Sequence, residues 1–214
     1  MSSPLLDSLE LWTRRLGAIA GLATLAAALA AIFRSLRRPA GPEEPGARVA
    51  LRRPVLAVAT VGFFGLGARL WRPLPVRPSH WQRAVLLLAG APLFAGGLAL
   101  YLWGLRTLGT MFGPSSGFGV RLSAGHRLVM HGPYSYVRHP MYTGVIAAGI
   151  GGALLYRTWS ALCFAVMMLG LAVRAHREEK VLAEEFGAEW TAYAACIPAL
   201  VPRLPREPER CADP

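Results

Sequence analysis

The chain has 214 residues, of which 54% are hydrophobic and only 16% charged, and its mean hydropathy is +0.38. Such apolarity argues against an ordinary soluble domain and for a membrane class. The formal net charge is +11, but the arginines that carry it sit in loops between apolar runs, a placement that suits membrane topology and contact with anionic lipid rather than with nucleic acid.

The opening "MSSPLLDSLELWTRR" leads into an apolar stretch with no clear cleavage site, so that stretch reads as a retained membrane helix rather than a removed signal. A bilayer span needs about 20 apolar residues. Leu16–Phe33 is the first candidate, Pro54–Trp71 the second and Ala84–Leu105 the third. Arg69 lies near the end of the second, where its head can snorkel, and Pro92 with Gly96 and Gly97 should bend the third. "RRPAGPEEPGARVALRRP" forms the loop between the first two.

Beyond Arg106 a polar, Gly-rich stretch runs to His139, and two short apolar runs follow, Tyr142–Tyr156 and Thr158–Val173, broken only by Arg157. Fifteen helical residues give roughly 22 Å against a hydrocarbon core of roughly 30 Å, so the pair reads as a tight helical hairpin. Small residues four apart, Ala147 with Gly151 and Ala148 with Gly152, permit close helix contact. After Val173 the chain turns amphipathic, as an interfacial helix with a Pro-rich tail. The expectation is one all-α integral membrane domain over 1–214, with about five transmembrane helices. Residues 16–105 form its N-terminal spans, and 106–214 its core and tail. Three separated cysteines fit no metal spacing and suggest no disulfide framework, and Asp213 in "CADP" argues against lipidation of Cys211.

Basic residues set the sidedness. With the N-terminus outside, the segments 34–53, 106–138 and 174–210 face the cytoplasm with 6, 4 and 6 of them, against 6 on the outer side. Both polar C-terminal segments then lie in the cytoplasm, at the mouth of the hairpin.

Those segments are "GHRLVMHGPYSYVRHPMY" and "RAHREEKVL". Together they offer His126, His131 and His139, Tyr134, Tyr136 and Tyr142, and Arg174 with Glu178. Pro133 and Pro140 push the residues before them out of helical geometry, and Pro140 can open the next helix and bring its positive dipole end to the site. Tyrosine faces and a glutamate suit a ligand with a cationic centre. On spacing alone, however, Arg174 and Glu178 read as an i,i+4 surface ion pair, and a loop histidine as a hydrogen-bonded structural residue. No metal motif, dinucleotide fingerprint or nucleophile elbow is present.

"HRLVMHGPYSYVRHPMYTG", followed after a hairpin by "RAHREEKVLAEEFGAEWTAYAACIPALVPRL", resembles the isoprenylcysteine carboxyl methyltransferase family, whose relatives include phospholipid N-methyltransferases. The match covers roughly 126–204. The resemblance implies an integral-membrane methyltransferase that uses S-adenosyl-L-methionine and a lipophilic acceptor, such as an isoprenylcysteine-type carboxylate. It implies cofactor binding by His126, Arg127, Leu128, Val129, Tyr134, His139, Pro140, Met141, Tyr142 and Glu178, with Arg174 at the substrate. Eukaryotic members carry a polar cofactor contact, often Gln, upstream of the first His, and "SSGFGVRLSAG" has none there. Phospholipid amines or small thiols remain alternative acceptors, and a membrane NADPH-dependent sterol-type reductase is the rival enzyme class. A non-catalytic protein that keeps the fold is a third reading.

Overall fold

The computed structural model describes residues 4–35, 53–112 and 128–202. The Arg-rich loop after the first helix, the stretch carrying His126 and Arg127, and the tail with Cys211 lie outside them. Among the described residues five α-helices follow in order: α1 (Pro4–Ser35), α2 (Arg53–Arg69), α3 (His80–Leu108), α4 (Pro140–Tyr156) and α5 (Trp159–Cys196). Short 3-10 turns occupy Gly109–Met111 and Gly132–Ser135. Each apolar run of the sequence has become a helix, and the described residues include no strand, only an isolated bridge between Pro73 and Thr158.

Three helical stretches are long and apolar enough to cross a membrane, Pro4–Ser35, His80–Met111 and Trp159–Cys196. Leu16, Leu22, Leu88 and Val166, each at least 60% exposed, show that the apolar surface faces outward. That is the pattern of helices solvated by hydrocarbon rather than packed as a soluble core. α2 and α4 have 17 residues each, or about 25 Å.

Helix ends follow local chemistry. α3 opens on a capping box in which Ser79 and Gln82 bond each other's backbone N–H, and it runs on without interruption through Pro92. Pro140 stands in the first turn of α4, where its missing N–H costs nothing. The α4–α5 turn is Arg157, in the left-handed region at φ 52°, and then Thr158, whose hydroxyl caps α5 by accepting from Ala161 N.

Two expectations need correction. The expected break after Val173 is absent, because Arg174, His176, Arg177, Glu178 and Lys180 continue the same helix as it leaves the apolar stretch. The interruption comes instead at Gly187, φ 53°, where a residue without Cβ takes a positive φ at little cost. Cysteine usage also differs: Cys163 is free but Cys196 is disulfide-bonded.

The tightest seam joins α3 to α4. Gly90, Gly97 and Gly104 recur every seven residues on α3, where Gly90 meets Gly151, Gly97 meets Gly144 and Ala148, and Gly104 meets Met141 of α4. A Cβ at Gly97 would come within 2.5 Å of the Gly144 carbonyl oxygen and the Ala148 nitrogen, and one at Gly144 within 2.6 Å of the Gly97 carbonyl oxygen. Backbones this close gain dispersion contacts that larger side chains would forbid. Of the small residues singled out in the sequence, Ala148 and Gly151 serve this seam, and the contact to α5 is made by Gly149 against Ala165.

At the N-terminal end of α1 a charged cluster pins three elements. Buried Glu10 accepts from Arg14, Arg83 and Arg157, and Arg83 also reaches Asp7 at 2.6 Å. The start of α1, the start of α3 and the α4–α5 turn therefore share one end of the bundle. The end of α3 and the start of α4 share the other.

Candidate functional site

The second end is where the two polar segments converge. Gly132, at φ 64°, and Pro133 fold the chain into a 3-10 turn that seats Tyr134 in the interior. Burial pushes the Tyr134 phenol up from its usual range, so it stays neutral. Its backbone carbonyl accepts a 2.7 Å hydrogen bond from Tyr193 O–H of α5. Leu128 and Val129, on the extended segment entering this turn, are half-buried.

The centre of the cluster is a triangle. Tyr142 donates its phenol proton to Glu178 Oε1 at 2.5 Å, and Arg174 Nε donates to both, at 2.9 Å to the tyrosine oxygen and 3.0 Å to Glu178. The hydroxyl accepts from the cation and donates to the anion, so charge and proton run in one direction. Arg174 and Glu178 side chains are only 24% and 15% exposed. The pair is therefore no surface i,i+4 bridge: it is half-buried and joined across helices by a third group.

His139 lies against the triangle, its ring stacked on Tyr142 with 1° between planes and 5.5 Å between centroids. Its Nε2 is 3.2 Å from Glu179 Oε1. A carboxylate oxygen only accepts, so Nε2 carries the proton. The same oxygen accepts from Arg138 Nε at 2.9 Å and Nη2 at 2.7 Å. Glu179 lies beyond the apolar stretch of α5. The hydrogen bonds from His139 and Arg138 hold its carboxyl down to about 2 against the opposing effect of burial.

Arg138 also donates to the carbonyls of Ala194 and Ile197, and its guanidinium sits 5.7 Å from the centre of the Trp190 ring. The tail is laced to the same loop: Arg138 N bonds Pro198 O, His139 N bonds Ala199 O, and Thr143 Oγ1 bonds Leu200 O. A second layer thus fixes the orientation of His139 and, through the stack, of Tyr142.

Sequence reasoning singled out Tyr134, His139, Tyr142, Arg174 and Glu178, and the fold brings them together. Pro140 is buried as the helix opener, and Met141 points to α3, against Gly104. His131 and Tyr136 are exposed and outside the cluster, Tyr136 lying near Trp103. His126 and Arg127 fall outside the described residues. Arg138 and Glu179 were missed. Their signal was adjacency: each neighbours a singled-out residue, and successive helical residues turn by about 100°, so Glu179 faces a different partner from Glu178.

Residues 85–189 match the model of the phospholipid methyltransferase family. The segment holds both arms of the cluster, from Tyr134 to Glu179. The chain is also similar to protein-S-isoprenylcysteine O-methyltransferase B of Arabidopsis thaliana, 35% identical over 85 residues, or 39% of this chain and 43% of the relative. It is 37% identical over 79 residues to protein-S-isoprenylcysteine O-methyltransferase A of the same plant, covering 36% and 40%. To protein-S-isoprenylcysteine O-methyltransferase of Schizosaccharomyces pombe it is 33% identical over 82 residues, covering 37% and 35%. The chain thus spans about two fifths of the length of these relatives. The matched segment starts inside α3, so it includes the glycine seam as well as the polar cluster.

Proposed function

We propose that the chain is an integral-membrane methyltransferase dependent on S-adenosyl-L-methionine, with a lipophilic acceptor of the isoprenylcysteine-carboxylate type. The observation that carries this reading is the Tyr142–Glu178–Arg174 triangle, assembled from two distant motifs at the mouth of an apolar bundle and lying within a methyltransferase family segment. The names of the similar plant and yeast proteins support the acceptor class.

The donor set fits such a cofactor. Its ligand-facing chemistry is a carboxylate, a phenol ring and a stacked imidazole, which suit a cationic amino acid moiety and a sulfonium. The cofactor supplies a methyl already activated for transfer. Glu178 and Tyr142 would hold its cationic parts, with Tyr134, His139 and the segment 126–129 forming the remaining wall. Arg174 would grip the acceptor's anionic head with its fork. Alignment and exclusion of water are then the protein's work, and no covalent intermediate is required of it. The bias of basic residues puts the site at the cytoplasmic face, where a soluble cofactor arrives from water while an apolar tail enters from lipid. The chain is taken as one membrane domain over 1–214 without nucleic-acid partners.

Calorimetric titration of the purified, folded protein with S-adenosyl-L-methionine tests this, with NADPH as the control for a reductase. Cofactor binding, followed by methyl transfer to a prenylated cysteine, is the expected result. Binding of NADPH instead would overturn it.

A further inference from the structure

Five of the described arginines, Arg14, Arg83, Arg138, Arg157 and Arg174, are paired with carboxylates. Arg34 and Arg106 have no such partner among the described residues. They share one place: both line a cavity of about 390 Å³ between the C-terminal ends of α1 and α3. Its inner wall is apolar, made by Ala27, Ala31, Leu102 and Leu105. Its outer end carries both guanidiniums, exposed, beside Ser35 and Thr110.

The cavity is not the site described above. On α3 its lining residues Leu102, Leu105 and Arg106 are spaced i, i+3, i+4 and so form one face. The face turned to α4 is that of Gly90, Gly97 and Gly104, on average about 130° away at 100° per residue. α3 therefore stands between the two.

We infer that this cleft binds one anionic glycerophospholipid of the surrounding membrane, its phosphate held by Arg34 and Arg106 and an acyl chain lying against α1 and α3. The cleft lies at the end of two membrane-long helices, the depth at which headgroups meet hydrocarbon. Its polarity runs from apolar inside to cationic outside, matching an acyl chain followed by a phosphate. Two guanidiniums with no carboxylate partner among the described residues at that depth supply the complement to a phosphodiester, which they can hold by paired hydrogen bonds. The role is separate from the proposed methyl transfer and does not depend on it.

The test uses the full chain in neutral detergent, titrated with phosphatidylglycerol and followed by native mass spectrometry and thermal stability. Phosphatidylglycerol should bind and stabilise, whereas phosphatidylcholine and glycerol phosphate should do neither. Arg34→Gln with Arg106→Gln should weaken binding roughly thirtyfold, the contribution of two interfacial arginines. Arg69→Gln with Arg77→Gln removes the same charge from exposed positions elsewhere and should leave binding unchanged. Leu102→Trp keeps both arginines but fills the cleft, and should abolish the preference for phosphatidylglycerol. If the first double variant does not fold, Leu102→Trp decides alone. Equal affinity in the Arg34/Arg106 variant, an equal loss in the Arg69/Arg77 variant, or stabilisation by glycerol phosphate matching that by the lipid would each overturn the inference.

Discussion

Glu178 and Arg174 share a hydrogen-bonded oxygen pair, yet the proposed roles separate them, and substitution can expose the difference. Glu178→Gln keeps size and loses charge. A hydrogen bond to a charged group at a half-buried position contributes about 1.5–3 kcal/mol, so S-adenosyl-L-methionine should bind roughly ten- to a hundredfold more weakly by calorimetry. Arg174→Lys keeps charge and loses the fork, so cofactor affinity should hold while methyl transfer falls. If Glu178→Gln binds the cofactor like the parent, the role given to Glu178 is wrong even for a working methyltransferase. Glu179 acts one layer back, and its titration gives a second handle. Its carboxyl sits at about 2 in the fold against an ordinary 4.5. A depressed carboxyl stabilises the folded state fully above about pH 4.5, and that contribution is lost as pH falls towards 2. The gap in thermal stability between the parent and Glu179→Gln should therefore be constant from pH 7 to 5 and close between pH 4.5 and 2. A gap equal at pH 6 and pH 2.5 would show that the carboxylate's contacts with Arg138 and His139 do not stabilise the fold.

The α3–α4 seam is the element on which the cluster's geometry rests, since it sets where α4 begins and hence where His139 and Tyr142 stand. Adjacent glycines on α3 separate packing from propensity. A Cβ at Gly97 meets backbone within 2.5 Å, whereas at Gly96 nothing lies within 4 Å. Gly97→Ala should cost about 1–3 kcal/mol by overpacking, seen as a lower unfolding temperature in detergent, and should loosen cofactor binding by shifting Pro140. Gly96→Ala should be neutral or slightly stabilising. Equal effects from both would mean that the seam does not hold the helices at this distance. The seam was only half legible in the sequence. A spacing of four picked out Ala148 and Gly151 as small, but a period of seven across two helices appears only once both partners are known. The apolar runs were legible because hydrophobicity is local. The continuity of α5 past Val173 was not, because the pattern changes from lipid-facing to amphipathic while backbone helicity does not. The helix was read as ending where its environment ends. The polar cluster was legible as residue types at a membrane mouth. Its inner layer, Arg138 with Glu179 and the tail carbonyls, was not, since those bonds span 41 to 59 residues along the chain.

At the scale of the whole molecule, charge is divided between two ends. At one end Glu10, with Asp7, gathers Arg14, Arg83 and Arg157 into a network. The other end holds the Tyr142–Glu178–Arg174 triangle and the Arg34–Arg106 cleft. The sequence carries more basic residues on that second side than on the first, and such a bias places a loop on the cytoplasmic side. This predicts the orientation of the proposed site. Arg77 is exposed in the connection between α2 and α3, at the Glu10 end, and Glu185 is exposed near the far end of α5. Single cysteines at these two positions, in a background with the native cysteines replaced by serine, can be probed in intact cells with an impermeant thiol reagent. The Arg77→Cys protein should label from outside. The Glu185→Cys protein should label only after permeabilisation. The reverse pattern would put the triangle outside the cell, where an intracellular cofactor cannot reach it, and would remove the cytoplasmic site together with the reading of topology from the arginines. Labelling of both positions from outside would mean that an odd number of the helices between them fails to cross, and the 17-residue α4 is the one whose length makes it the first suspect.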